Sequence, residues 1–426
     1  HSQGISETLR KVGQGEDDGE LKTLPKQLVL KGLLSHKDKV RTTRRPNARL
    51  ATPLFFAISS NLPLFRLRTN RSLLLTSQDV RLYAALCLSD VLRIFAPEEP
   101  FQDDDTLKSV YDAFLEALSR LNEPSTAAFQ PAHALLQNVA TIGLCVPMLD
   151  LECPGAEGLV PQLFETLFAG VNPANSSLIE EDAMKVLGTM LEEAEEVSPE
   201  VLTTILERLV QPFKGENSAA HNLACSLVRK SENNLQLAVQ HFLVDALSSK
   251  GNGEHPLSKR SADVLEALAV VDSTALVTVW PTIMEELQND DAEPRAKAVK
   301  LFGRVLATPG STVAKDYAHY LTQFLRRFGD KLPEIRVEMC KWGAAFLTAG
   351  TAGDAAVAEE IAGYLEERLI DFDEKVRIAA VTAVCDVAET TPRAVDPELL
   401  MAVGERMLDK KANIRQLRRE ILVRNP

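Results

Sequence analysis

A short pattern returns late in this chain at a nearly constant interval. It consists of a turn residue, an apolar or Pro position, an Arg, and then a helix opening with small residues. The copies read Ala292-Glu293-Pro294-Arg295, Pro333-Glu334-Ile335-Arg336, Glu374-Lys375-Val376-Arg377 and Ala412-Asn413-Ile414-Arg415. The arginines lie 41, 41 and 38 residues apart, and an early copy sits at Asp79-Val80-Arg81. An interval of about 40 residues is that of two antiparallel helices per unit, where each unit buries its apolar face only by stacking on the next. The fold class this predicts is all-α, an α-solenoid (superhelix) of HEAT/ARM-type helical repeats.

The local chemistry agrees. An Ala stands three residues after Arg81, Arg295 and Arg377 (Ala84, Ala298, Ala380), small enough to let neighbouring helices lie close. Met339 takes that place after Arg336. Asp373 is expected to cap a helix start, with Arg377 one turn in pairing with a carboxylate on the adjacent unit. Val299, Phe302, Val305 and Leu306 repeat at helical spacing, as do Ile361, Tyr364, Leu365 and Leu369. The middle reads as helices over 107–121, 127–143, 159–169, 179–194, 199–210, 219–230 and 235–247. Linkers rich in Pro, Asn, Gly and Ser separate them, such as Asn172-Pro173-Ala174-Asn175 and Gly251-Asn252-Gly253.

Composition narrows the function classes. The 426 residues exceed one ordinary compact domain, and 25% charged with 45% apolar content is globular. A net charge of −13 opposes sequence-independent DNA binding by the whole surface, so direct DNA binding is not expected to be strong. The six Cys (87, 145, 153, 225, 340, 385) form no C-x-x-C pair, which points to a reducing compartment rather than to zinc or disulfides. The apolar runs fall well short of the roughly 18 residues of a membrane span. The chain opens at His1 without a signal-like start and reads as a fragment of a longer product.

Several runs resemble one HEAT-repeat family. Leu33-Leu34-Ser35-His36-Lys37-Asp38-Lys39 is followed, after a gap, by Asp79-Val80-Arg81-Leu82-Tyr83-Ala84-Ala85-Leu86-Cys87-Leu88-Ser89-Asp90-Val91-Leu92-Arg93. Then come Ala96-Pro97-Glu98-Glu99-Pro100-Phe101. Together they are similar to the N-terminal region of the cohesin regulator family called precocious dissociation of sisters protein five. The family patterns there are L-L-x-H-K-D-K-x-V-R, C-L-x-D-I-L-R and A-P-D-A-P-Y/F. Val160-Pro161-Gln162-Leu163-Phe164, Leu191-Glu192-Glu193-Ala194 and Asp373-Glu374-Lys375-Val376-Arg377 agree too, so the resemblance covers most of 25–415. It implies a scaffold of the nucleus and chromosome that regulates sister chromatid cohesion. The implied partners are the kleisin subunit of the cohesin complex, the wings-apart-like releasing factor and the cohesin acetyltransferase. Family members are longer, and their main kleisin-binding surface is expected further along the solenoid. The resemblance implies that Ala96, Pro97, Glu98, Glu99, Pro100 and Phe101 dock short Tyr-Ser-Arg-type peptides. Glu98 keeps the family's acid and Glu99 replaces a small residue. Read as residues alone, two prolines fix an extended backbone, Phe101 offers an anchor and the acids suit a basic peptide. A Pro-capped turn between helices fits the same residues.

Residues 40–78 break this grammar, with seven Arg and no Lys, Asp or Glu. Excising them joins Lys39 to Asp79 and restores the family run. Val40 and Gln78 suit the codons of intron ends, so the segment reads as a retained intron translated in frame, lodged in a turn where a solenoid tolerates insertion. A transit-like peptide and a basic arm for DNA or an acidic partner are the rivals. The expected organisation is a flexible segment 1–24 and a solenoid 25–426 interrupted by 40–78, of nine or ten units at about 40 residues each. After Arg415 the expected Ala is replaced by Arg418, which reads as a gene-model boundary or a frayed basic end.

No nucleotide loop, H-E-x-x-H or G-x-S-x-G occurs. The seven His lie far apart, with His221 and His241 on different helices. Asp103-Asp104-Asp105 reads as a helix cap rather than a cation loop. The sequons Asn70-Arg71-Ser72 and Asn175-Ser176-Ser177 would go unused in a reducing compartment. Arg326-Arg327 with Lys331 and Lys341, and Lys410-Lys411 with Arg415, offer a local basic stripe or belong to the repeats' own Arg–carboxylate bonding. The function expected is binding without catalysis or cofactor. Another HEAT scaffold, of a phosphatase or a nuclear transport receptor, is the alternative.

Overall fold

The computed structural model describes residues 78–95, 103–230, 234–247, 255–349 and 355–416. Segments 1–24 and 40–77 therefore lie outside the described residues, and so do Ala96–Phe101. Among the described residues every regular element is helical. They divide into two compact units: one holds the residues up to Ile205 with Lys214–Leu227, the other Leu206–Phe213 with the residues from Val228 on.

The first unit contains α1 (Gln78–Phe95), α2 (Asp104–Leu118), α3 (Phe129–Ile142), α4 (Leu159–Gly170), α5 (Ser176–Glu193), most of α6 (Pro199–Leu209) and most of α7 (Ser218–Lys230). The helices form two rows. Helices α1, α3 and α5 pack side by side in one, and α2 packs on α4 in the other. Phe114, Phe129, Phe164 and Phe168 are buried in this unit, where each large side chain contributes about 1.5–3 kcal/mol relative to exposure.

Neutral hydrogen bonds tie one repeat's turn to the next. Asn175, fully buried, donates to the carbonyls of Leu121 (2.6 Å) and Gly170 (2.8 Å). Asn172 donates to the carbonyl of Asn122 at 3.0 Å, and Asn217 to that of Val171 at 2.7 Å. The Asn175 sequon thus has its amide nitrogen spent inside the stack.

The second unit contains α8 (Asn234–Leu247), α9 (Ser261–Val271), α10 (Val279–Leu287), α11 (Ala292–Ala307), α12 (Ala318–Leu325), α13 (Pro333–Ala349), α14 (Ala355–Leu369), α15 (Glu374–Thr390) and α16 (Pro397–Glu405). Helices α11, α13 and α15 pack side by side and carry the recurrent arginines. Asp373 caps α15, its carboxylate accepting from the amides of Lys375 (2.8 Å) and Val376 (3.4 Å), as its position predicted. Ala298 and Ala380 are buried; so is Met339, which shows that this place also holds a long side chain.

The arginines build a ladder. Arg295 binds both carboxylate oxygens of Asp330, at 2.9 and 3.3 Å. Arg336 binds both oxygens of Asp371 at 2.9 Å, and Arg377 both of Asp409 at 2.9 and 3.2 Å. The third nitrogen of each returns to a carbonyl of its own turn: Asn289 (2.6 Å), Asp330 (2.7 Å) and Asp371 (2.8 Å). Each aspartate also accepts from the amide two residues on, at Leu332, Asp373 and Lys411. All six charged side chains are buried. The expected partner on the adjacent unit is therefore the aspartate of the next turn. The early copy follows the same spacing: Arg81 meets Glu116 at 2.7 Å, but both are part-exposed, and such a pair contributes little.

A close approach between α11 and α13 depends on Gly303. A Cβ there would collide with the Cγ, Cδ1 and Cδ2 atoms of the Trp342 ring. Gly303→Ala is expected to cost about 1–3 kcal/mol by overpacking, read as a lowered midpoint in urea unfolding.

Burial raises the pKa of Asp371, but the Arg336 hydrogen bond, the Asp373 amide and the Arg336 and Arg368 charges outweigh it and hold the carboxyl below its ordinary value. Asp409 is held down in the same way by Arg377, the Lys411 amide and Arg406. A depressed carboxyl stabilises the fold above its unfolded pKa of about 3.9, and that stability is lost as pH falls through the folded value. Acid unfolding of the second unit is thus expected to begin below about pH 4. Arg336→Ala, which strands Asp371, is expected to cost about 3–5 kcal/mol at neutral pH. Replacing both partners with apolar residues is expected to cost less than Arg336→Ala alone, as chemical unfolding will show.

Candidate functional site

The six residues expected to dock a peptide, Ala96, Pro97, Glu98, Glu99, Pro100 and Phe101, lie outside the described residues, but both their flanks are placed. Upstream, Arg93 in the last turn of α1 pairs with Asp90 at 3.2 Å. Asn138 on α3 donates to Ser89 Oγ (2.8 Å) and Asp90 Oδ1 (3.1 Å), tying α1 to its neighbour. Downstream, Asp103 stands at the N-cap of α2 and its carboxylate accepts from the Thr106 hydroxyl at 2.6 Å. Asp104 accepts from the Glu152 amide at 3.2 Å, and Tyr111 donates to the Leu144 carbonyl at 3.0 Å. Asp103 thus holds the N-cap position and Asp104 and Asp105 the first turn, where the helix dipole favours them, but the Asp103 carboxylate makes no cap bond to a backbone amide of the helix.

The second unit presents two surface features. One is an open groove of about 720 Å³ lined by Leu287, Gln288, His319, Thr322, Gln323, Arg326 and Arg327. The other is the row of turns held by the ladder. There Ile370, Phe372 and Leu408 stand 69%, 85% and 88% exposed, and Lys331 and Lys410 are exposed in the adjoining turns. Residue-pattern reasoning missed this apolar cluster. The available signal was that apolar residues flank ladder aspartates, as Ile370 and Phe372 flank Asp371 and Leu408 precedes Asp409.

The basic clusters divide. Arg327 pairs with Asp330, Lys341 with Glu338 and Lys411 with Glu374, each at 3.2 Å, and Arg415 donates to the Asp409 carbonyl. These belong to the repeats' own bonding. Arg326 faces the groove, and Lys331 and Lys410 face outward.

Cys145 and Cys340 are buried, and burial pushes their thiols up to about 12, so both stay protonated near neutrality. His221 lies against Cys225 on its own helix, Nε2 to Sγ 3.5 Å. No group of three metal-ligating side chains occurs among the described residues, and no described helix is long and apolar enough to cross a membrane.

A family model described as "Sister chromatid cohesion protein PDS5 protein" matches residues 68–424. PDS5 homolog A of Danio rerio is 27% identical over 343 residues, which is 80% of this chain and 25% of the relative. PDS5 homolog A of Arabidopsis thaliana is 28% identical over 336 residues, covering 78% and 20%. PDS5 homolog B of Homo sapiens is 28% identical over 342 residues, covering 80% and 23%. The chain therefore spans a quarter or less of the length of these relatives. A solved structure, "Structure of the Pds5-Scc1 complex and implications for cohesin function", matches 98% of this chain and 58% of its own. Its TM-score is 0.65 at 18% identity, a likeness that shows the HEAT-type fold.

Proposed function

The chain belongs to the family of the sister chromatid cohesion protein PDS5, and on that premise we propose that it is a cohesin-associated scaffold segment governing how long sister chromatids stay joined. The observation that carries this reading is the family match over 68–424, which takes in α1, both flanks of the docking segment and every rung of the ladder. A stacked-repeat surface supports binding of extended partners along its helix and turn ridges. The partners are the kleisin subunit of the cohesin complex, the wings-apart-like releasing factor and the cohesin acetyltransferase, and the place of action is the nucleus and its chromosomes. The related solved structure is of a complex with Scc1, which favours the kleisin among these.

Ala96, Pro97, Glu98, Glu99, Pro100 and Phe101 dock a short basic peptide in this reading. The two helix ends that flank the segment are each bonded to neighbouring structure. The chain acts by binding and not by catalysis; residues 40–78 interrupt the repeat with a different composition, while the family match already begins at residue 68 within them.

Two measurements test this. A pull-down from nuclear extract, with the full chain and with a chain lacking 40–78, is expected to recover cohesin subunits or the releasing factor. Recovery of a phosphatase or of transport cargo instead would overturn the family function. In calorimetry with a synthetic Tyr-Ser-Arg peptide, Phe101→Ala is expected to weaken binding about tenfold or more. Equal binding by the variant would move the docking site elsewhere.

A further inference from the structure

The turns of the second unit carry a residue five positions before each recurrent arginine, Arg295, Arg336, Arg377 and Arg415. These positions hold Asp290, Lys331, Phe372 and Lys410. Because each of the first three arginines grips the aspartate of the next turn, these positions form one row, spaced by the roughly 8–10 Å that separates packed helices. Phe372 stands in the row between two lysines. Its ring lies over the Arg336 guanidinium, 4.7 Å from centroid to carbon, so an 85% exposed aromatic is held in place by a buried cation. Ile370 and Leu408 add exposed apolar surface beside it.

The row opens on the exposed Asp290, with Asp291 and Glu293 in the same turn, but its outward charge from Lys331 to Lys410 is positive, although the chain carries −13. Asp330, Asp371 and Asp409 are buried in the ladder. Asp373 is committed to the α15 cap, and Glu374 to Lys411 and Asn413. Lys331, Lys375 and Lys410 face solvent; Asp330 beside Lys331 is buried, and the nearest exposed acid in sequence is Glu334 at the start of α13.

We propose that this row is a docking ridge for an extended acidic segment of a partner protein. The segment lays one large apolar side chain on Phe372 and an acidic residue toward each of Lys331 and Lys410. The two lysines are about 20 Å apart on the packing distance above, and an extended chain advances about 3.3 Å per residue. The acids therefore lie about six residues apart, with the apolar side chain midway. The inference stands on the turn geometry and does not depend on the family function.

The test uses fluorescence anisotropy with the full chain and a labelled seven-residue probe. The probe has a central Phe, Gly/Ser spacers and an acidic residue at each end. Saturable binding is expected, weakened about tenfold by Phe372→Ala. Phe372 touches a ladder arginine, so a second variant keeps the test independent of folding. Lys331→Glu with Lys410→Glu alters solvent-facing side chains, and it is expected to lose the acidic probe and gain a probe ending in Lys. Absence of saturable binding would overturn the proposal. So would affinity that responds to salt but not to Phe372→Ala. A concentration-dependent dimer in sedimentation that Phe372→Ala abolishes would assign the ridge to a second copy of this chain, and would overturn it too.

Discussion

A guanidinium buried between two turns has to satisfy all its donors at once, and the second unit is arranged around that demand. Arg336 spends two nitrogens on the Asp371 carboxylate and a third on the Asp330 carbonyl. The planar fork suits a bidentate carboxylate in a way that a lysine would not. Such a pair loses solvation as it gains attraction, so its net contribution to stability is modest compared with the cost of leaving one member alone. What it supplies reliably is position. Each turn is fixed relative to the next to within hydrogen-bonding tolerance, and the outward residues of successive turns come into line as a result.

The first unit meets the same demand largely with neutral groups, its Arg81–Glu116 pair being part-exposed. Asn172, Asn175 and Asn217 reach from one turn to a carbonyl of another. Neutral amides escape the desolvation of ions, and Asn175 satisfies both its donor and its acceptor, the latter with the Asn172 amide at 2.8 Å. The two units thus hold repeats together by different chemistry. The difference explains why the Arg signature is clear late in the chain and fades in the middle.

Much of the fold was legible for that reason. The interval between arginines, the Asp373 cap and the apolar stripes of α11 and α14 state the helix pairs and their stacking directly, because a buried Arg cannot drift in sequence without losing its aspartate. The asparagine links were illegible, since Asn in a linker reads equally well as an ordinary turn residue. Gly303 was illegible too: inside α11 it looks like a weak point, and only the seating of Trp342 shows why no larger side chain fits. The expectation of a docking segment at 96–101 comes only from resemblance, because two prolines and an aromatic describe many turns. The Phe372 ridge escaped notice because a single exposed aromatic carries no periodicity. Its surroundings emerge only when the turns are set side by side.

Asp371 serves two repeats at once. Its side chain receives Arg336 from one side, and its carbonyl receives Arg377 from the other. Asp330 and Asp409 stand in the same double role. A rung is therefore not an independent spring but a node in a one-dimensional lattice with nearest-neighbour coupling. Loosening one turn removes a partner from the arginine before it and an acceptor from the arginine after it, so disorder would spread outward from any point of failure as a travelling boundary.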